Sequence, residues 1–405
     1  VNSRVLILVG GDLGRSPRMI AHARAAAAAG AHVDLVGYRG APLPGRVATD
    51  ARIAVHALPT RGDRTMARLR STAYAAGASG RAFWRTGRLV RALLALPRPD
   101  VMLVQTPPAI PAVAAAVLVA RLRRVPFVID WHSFSDAVLA QRLGADAWGV
   151  QWLRVVEQRL THGAAAHLAV SDALAAALRS RGCAASVTVA PDRPLEQLAP
   201  LSAGDRAQLF DRLVGEQILS AADASALDRR TAALLVAPTS WNGDDDFPAL
   251  LEALSEYDRS PGDQLPAAIV VITGAGPLRD QFDEHLRRYR WRRVTVRTAW
   301  LAPDDYPRAL AAADVGLCLH RTIAGVDPPI KLADMRGAGL PACVLDEGGA
   351  HAFAERLVEL LDGFPRAAAL ERARAALAGA PSPTWFEAWP LTVAPVLERC
   401  VTKSL

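Results

Sequence analysis

The chain has 405 residues, more than one ordinary core supports, so two domains are expected. Apolar residues make up 51% of it and charged residues 21%, which excludes a disordered or low-complexity chain. The formal net charge of +7 fits an anionic partner, whether nucleotide, nucleic acid, lipid headgroup or pyrophosphate, and does not choose among them.

The sequence opens on the apolar run Val5 to Val9, with no basic segment leading into an apolar one, so no signal peptide is expected. Strands are predicted at 5–9, 32–37, 52–57, 101–104, 126–130, 166–170 and 186–189. Helices such as 17–29, 109–123, 150–162 and 172–181 fall between them. That alternation predicts a parallel sheet covered by helices. The uncharged run from Ala109 to Ala120 is too short to span a bilayer and is closed by Arg121, Arg123 and Arg124.

From about 192 to 230 two weakly amphipathic segments occur without a clear strand. The α/β pattern then resumes, with strands at 234–237, 268–273, 294–296, 315–319 and 342–344. Helices are predicted at 246–256, 277–289, 304–312, 328–337 and 350–361. The fold class is therefore α/β, with two Rossmann-like domains expected to face a cleft. The domains are expected at 1–195 and 231–382, with a linker at 196–230. A tail at 383–405, carrying Trp385, Phe386 and Trp389, suits a helix packing back on the first domain. The four cysteines, Cys183, Cys318, Cys343 and Cys400, show no metal-ligand spacing, so a reducing compartment and no structural zinc are expected.

Several strand-end loops carry chemistry. Gly10-Gly11-Asp12-Leu13-Gly14-Arg15-Ser16-Pro17-Arg18 follows the first strand. Gly11 and Gly14 allow close backbone approach, and Arg15, Ser16 and Arg18 are donors for a phosphate. The segment lacks the P-loop ending and the GxGxxG spacing, and a plain strand-to-helix turn is the alternative. Asp130 and His132 end another strand, where an acid and a histidine suit proton transfer or phosphate contact. Thr273-Gly274-Ala275-Gly276-Pro277 is a tight turn on which a base or phosphate could rest, and Ser240 lies in a further strand-end loop. Asp244 to Asp246 either ligate a metal or cap the next helix.

Residues 325–341 are the most informative. Asp327, Lys331 and Asp334 fall on one face of a helix that starts at Pro328. The lysine would meet a diphosphate and Asp334 the ribose hydroxyls; the alternative is a capped surface helix with an ion pair. The stretch 61–98 holds nine arginines and one acid, Asp63, among aromatic and leucine residues. It fits an anionic membrane surface, an RNA, or a solvated helix pair with a buried face.

Five blocks, GGDLGRSPRM (10–19), FVIDWHSF (127–134), PDRPLEQLAPLS (191–202), PTSWNGDDDFPALLEAL (238–254) with ITGAGPL (272–278), and VDPPIKLADMRGAGLP (326–341), occur in order. Together they resemble the chitobiosyldiphosphodolichol β-mannosyltransferase family. The resemblance implies a GT-B fold, a GDP-mannose donor and inverting transfer to a lipid-diphosphate-linked sugar, with no metal or cofactor. It favours the cap reading of Asp244 to Asp246. It assigns donor binding to Ser240, Gly274, Gly276, Lys331, Asp334 and Asp327, and acceptor or phosphate binding to Gly11, Gly14, Arg15, Ser16 and Arg18. The wider superfamily separates its two acids by seven residues; Asp327 is one position off, which leaves Asp334 as the ribose ligand and Asp327 as a cap. Eukaryotic members carry an N-terminal membrane anchor, and none is expected here. A cytoplasmic enzyme, peripheral on the membrane through 61–98 and without a nucleic-acid partner, is the expectation.

Inversion needs a base for the acceptor hydroxyl and a counter-charge for the leaving diphosphate. Asp12 is placed first as base, with His132 contacting sugar or phosphate. Lys331 is expected to stabilise the leaving group, the more so because Pro328 and Pro329 lack amide donors. Two rival readings are a GT-B transferase using another nucleotide sugar, such as a UDP-sugar, on a polysaccharide or small molecule, and a non-catalytic scaffold that binds a glycolipid or partner.

Overall fold

The computed structural model describes residues 3–59, 73–183, 185–195, 197–198, 201–241, 243, 245–261, 264–302, 304–319, 330–380 and 382–402. The chain forms two compact units. The first runs to Asp192 and takes in the C-terminal segment from Trp385; the second runs from Arg193 to Thr384.

In the first unit, β1 (Arg4–Asp12), β2 (His32–Tyr38), β3 (Ile53–Leu58), β4 (Val101–Thr106), β5 (Phe127–Trp131), β6 (Ala166–Ala169) and β7 (Val187–Val189) form a parallel sheet. Their order is β3-β2-β1-β4-β5-β6-β7. Val5 to Val9 are buried without alternation, as strands covered on both faces must be. The strand order reverses between β1 and β4, which are paired from Val5↔Val101 to Leu8↔Val104. The crevice of such a sheet lies beyond the carboxyl ends of strands at that point, so the loops after β1, β4 and β5 border it.

The second unit repeats the plan with β8 (Ala232–Pro238), β9 (Ala267–Thr273), β10 (Val294–Ala299), β11 (Val315–Cys318) and β12 (Ala342–Val344), all parallel. The order is β10-β9-β8-β11-β12, so the reversal falls between β8 and β11. The loop after β8 and the helix Ile330–Gly337 after β11 therefore border the second crevice.

Segment 196–230 differs from the expected linker. It forms the helices Ala203–Gly215 and Ala221–Asp228. Ser202 caps the first, and a Ser220/Asp223 capping box starts the second. Leu209, Phe210, Leu213 and Leu227 are buried in one cluster with Leu234 and Val236 of β8, so both helices are part of the second unit's core. Their weak sequence periodicity hid this, because each buries only a short face. The tail forms two helices, Trp385–Thr392 and Ala394–Thr402, and the first packs on the helix Pro17–Ala28. Among the described residues no helix is long and apolar enough to cross a membrane.

His167 on β6 is buried, and its Nδ1 accepts the Trp131 indole N–H at 3.0 Å. Burial pushes the imidazole down from 6.5 to about 4. The unfolded chain therefore binds a proton near pH 6.5 that the folded chain refuses until about pH 4. Stability from this group is complete above pH 6.5 and is lost as pH falls from 6.5 to 4. Denaturant unfolding of His167→Gln is expected to lose about 3 kcal/mol less over that window than the parent chain. Equal slopes in the two proteins would remove His167 as the cause.

Candidate active site

The first unit's crevice is organised by one buried carboxylate. Asp130, at the end of β5, is fully enclosed. Arg18, on the second residue of the helix Pro17–Ala28, grips it in a fork, with Nε to Oδ2 and Nη2 to Oδ1 both at 2.8 Å. The third arm of the guanidinium, Nη1, donates to Asp192 Oδ1 at 2.9 Å. Burial by itself would raise the Asp130 carboxyl, but Arg18, His22 and His132 together outweigh it and hold the group well below the usual carboxylate range. Arg18 is driven the other way. Burial lowers it, and its two carboxylate partners more than restore the charge.

His132 is two residues beyond Asp130 and only partly buried, with Nε2 at 3.0 Å from Asp130 Oδ2. That contact leaves Nδ1 as the ring's second nitrogen. The fully buried His22 accepts the Trp389 indole N–H on Nδ1 at 3.1 Å and turns Nε2 toward Asp130 Oδ2 at 3.3 Å. Burial lowers its pKa. Trp385 covers the same cluster, edge-on to His22 and under the Arg18 guanidinium.

The loop after β1 is assigned differently from the sequence expectation. Asp12, placed first as base, is a latch. Its carboxylate accepts the Gly14 N–H and the Ala41 N–H, each at 2.9 Å, and lies 3.5 Å from the Arg15 guanidinium. A Cβ on Gly40 would meet that carboxylate at 2.0 Å. Arg18, expected as a phosphate donor, has its charge balanced internally by Asp130 and Asp192. Ser16 donates its hydroxyl to the Asp12 carbonyl at 2.9 Å. Gly14 is required by packing, since a Cβ there would meet the Ala41 carbonyl oxygen at 2.3 Å. Gly11 has open space around its Cα, and Arg15 is half exposed. These two remain available to a ligand.

The second unit's crevice is also built on a buried carboxylate. Of the acidic triplet, Asp246 caps the helix Phe247–Arg259 by accepting the Ala249 N–H at 3.1 Å. Asp244 lies outside the described residues. Asp245 does something the sequence reading did not separate out. Its buried carboxylate accepts the Thr239 hydroxyl, the Ser240 N–H at 3.2 Å and the Lys331 ammonium at 2.5 Å. Three successive acids exceed what a cap needs, and that surplus was the available signal.

Lys331 sits on the first turn of the helix Ile330–Gly337, and Asp334 follows three residues on. Tyr306, from the helix Asp305–Ala312, donates its hydroxyl to Asp334 Oδ2 at 3.0 Å. Burial and the neighbouring Asp334 push the phenol well above its usual range, so it remains a donor. The helix is anchored by buried Met335, which packs where a Cβ on Gly316 would stand, 2.5 Å from its sulfur. Asp327, expected as cap or ribose ligand, lies outside the described residues.

Gly274 and Gly276 have a structural cause. Gly274 adopts φ +139°, and a Cβ there would stand 1.8 Å from the Thr239 carbonyl oxygen; one on Gly276 would stand 2.1 Å from the Ser240 carbonyl oxygen. The turn after β9 thus presses on the loop after β8. Beneath it Trp241 is buried, stacked on Phe247 at 4.7 Å and packed on Phe282. Among the described residues no group of three His, Cys, Asp or Glu side chains is arranged to hold a metal ion.

The glycosyl transferase 4-like domain family matches residues 15–192. Among solved structures, Anabaena HepE, in complex with UDP and glucose, covers 100% of this chain and 99% of its own, with a TM-score of 0.61 at 12% identity. Sucrose-phosphate synthase from Thermosynechococcus elongatus covers 100% and 98%, with a TM-score of 0.62 at 15% identity. Two parallel α/β units matched along the whole chain in this way define the GT-B fold. Chitobiosyldiphosphodolichol beta-mannosyltransferase of Eremothecium gossypii is 35% identical over 85% of this chain and 72% of its own length. The mouse protein of the same name is 30% identical over 97% and 89%. UDP-glycosyltransferase TURAN of Arabidopsis thaliana is 31% identical over 99% and 98%. The chain belongs to the chitobiosyldiphosphodolichol beta-mannosyltransferase family.

Arg18→Met strands a buried carboxylate and is expected to cost about 3–5 kcal/mol of unfolding free energy. Gly274→Ala forces two loops apart and is expected to cost about 2 kcal/mol or more. Denaturant titration measures both. Unchanged midpoints would mean that the loops relax at little expense.

Proposed function

We propose that this glycosyltransferase moves a mannosyl residue from GDP-mannose to a lipid-diphosphate-linked sugar, with inversion. The observation that carries this reading is the single helix turn bearing Lys331 on Asp245 and Asp334 on Tyr306. It pairs a held cation for a diphosphate with a held carboxylate for ribose hydroxyls. The names of the beta-mannosyltransferase relatives support the sugar and the lipid-linked acceptor.

In this mechanism the acceptor oxygen bonds to the anomeric carbon on the face opposite the diphosphate. The bond from that carbon to the phosphate oxygen breaks, and the nucleoside diphosphate leaves with the electron pair. Lys331 stabilises the charge that develops on the leaving phosphate. Asp245 holds the ammonium by one N–H, which directs the remaining N–H groups to the phosphate. The acceptor proton passes to His132 Nδ1, and Asp130 stabilises the imidazolium through Nε2. Asp12 gives up the role of base because both its oxygens serve the turn.

No metal step is invoked. Asp245 is committed to Lys331 and Thr239, and Asp246 to capping, so the acidic loop is a poor cation ligand set. Gly11 and Arg15 are assigned to acceptor or phosphate contact, and Ser240 to the donor. The chain works at an anionic membrane surface through the basic stretch 61–98, of which residues 61–72 lie outside the described residues. Nucleic acid is not a partner in this reading.

A donor panel scored by released nucleotide and transferred sugar tests it, with short-chain lipid-diphosphate chitobiose as acceptor. GDP-mannose is expected to support transfer. Turnover of a UDP-sugar in its place would favour the second reading, which the TURAN likeness supports. Lys331→Ala is expected to lower kcat by about 10²-fold or more. His132→Ala is expected to lower it by about 10²–10⁴-fold with donor affinity retained. Near-normal kcat in either variant would strip that residue of its role.

A further inference from the structure

The helix Trp148–Thr161 has two unlike faces. Its inner face is clamped by buried Glu157, whose carboxylate accepts the Ser135 hydroxyl at 2.6 Å and the Thr106 hydroxyl at 3.1 Å. Its outer face carries Trp148, 79% exposed, and Trp152, 48% exposed, stacked with ring centroids 6.4 Å apart. Val155 continues the stripe at 44% exposure. Two neighbouring tryptophans left in water are costly, and none of the first unit's described residues buries them.

The stripe belongs to a wider layer. The connections β3 to β4, β4 to β5 and β5 to β6 all advance in one direction along the sheet. Right-handed crossovers therefore set the helices Ala73–Ala95, Ala114–Arg123 and Trp148–Thr161 on one face. Consistently, all three pack on the turn Ala109–Val113. The first of these helices exposes Phe83 and Trp84, and the second Leu118 and Leu122. The helix Pro17–Ala28 advances the opposite way and carries the C-terminal helices on the other face.

Charge selects the partner. Across the three helices the sequence holds eight arginines and a single acid, the buried Glu157. Asp146, in the loop before Trp148, is the nearest exposed acid in sequence. Arg154 is neutralised by the buried Asp136 at 2.8 Å, and the other arginines leave a basic layer, with tryptophan at its surface and its one acid buried, that matches an anionic bilayer interface. Indoles settle at headgroup depth, and arginines meet lipid phosphates.

We propose that this helical layer is the membrane-docking face of the protein, with Trp148 and Trp152 inserted at the headgroup level of anionic lipid. The inference deepens the membrane part of the reading above and is independent of the donor and the acceptor. It moves the principal anchor from the stretch 61–98 to the helix Trp148–Thr161.

The test is cosedimentation of the full chain with phosphatidylcholine vesicles, with and without phosphatidylglycerol, at low and high salt. The parent chain is expected to partition to the anionic vesicles and to be weakened by salt. The double variant Trp148→Ser/Trp152→Ser is expected to lose about tenfold or more in partition while keeping its thermal midpoint, since both side chains are exposed. Leu391→Ser, exposed on the helices of the opposite face, is expected to partition like the parent. Parent and double variant partitioning alike would overturn the proposed anchor and leave membrane association standing. Failure of the parent to bind any vesicle would overturn both, as would vesicle-independent dimerisation or RNA binding that the double variant abolishes. Sugar transfer to a water-soluble acceptor analogue reads the catalytic proposal separately.

Discussion

A carboxylate buried without a partner gives up its charge, and the first unit is arranged so that Asp130 keeps its own. Arg18 reaches it from the first helix with two parallel hydrogen bonds and extends a third to Asp192, the last residue of the unit's main segment. His22 and Trp385 close over the pair, and Trp389 fixes His22. One ion pair thus ties together the ends of β1's helix and β5, the point where the chain leaves the unit, and the segment that returns to it. His132, the ring that looks outward, inherits a fixed orientation from a carboxylate that cannot move.

The second unit solves a similar problem with a different cation. Asp245 is as buried as Asp130, yet its partner is a lysine on a helix start. A guanidinium presents a rigid planar fork, and Arg18 spends it on two carboxylates. An ammonium has three rotatable donors and one carboxylate contact fixes only one of them. The Arg18 pair is therefore structural, while the Lys331 pair can hold a cation at a crevice without exhausting it. The exposure of the two cations follows this division: Arg18 is 2% exposed and Lys331 13%.

The alternation of short apolar runs and helices carried the architecture, because doubly covered parallel strands are short, continuous and apolar. Pro17 stands at the start of the helix Pro17–Ala28, where its fixed φ suits the first turn. The helices in 196–230 escaped because their packing faces are only a few residues wide. Helical spacing placed Lys331 and Asp334 on one face, and their donor role came from the family resemblance rather than from that spacing. Asp12 and Arg18 were misjudged for one reason: a carboxylate or guanidinium beside a glycine turn reads the same whether it faces a ligand or latches the turn. Gly274 and Gly276 pose the same ambiguity, which the Thr239 and Ser240 carbonyl oxygens resolve.

By itself the sequence determined two α/β units, the loops at their strand ends, and a lysine and an aspartate on one helical face. These depend on periodicity and local backbone preference, which act within a few residues. Only the tertiary structure decided what each polar group touches. Asp130 with Arg18 spans 112 positions, Lys331 with Asp245 spans 86, and Trp389 with His22 spans 367. Such pairings are set by how the sheets order their strands and by the need to satisfy buried charge, and neither is written in any one stretch of chain.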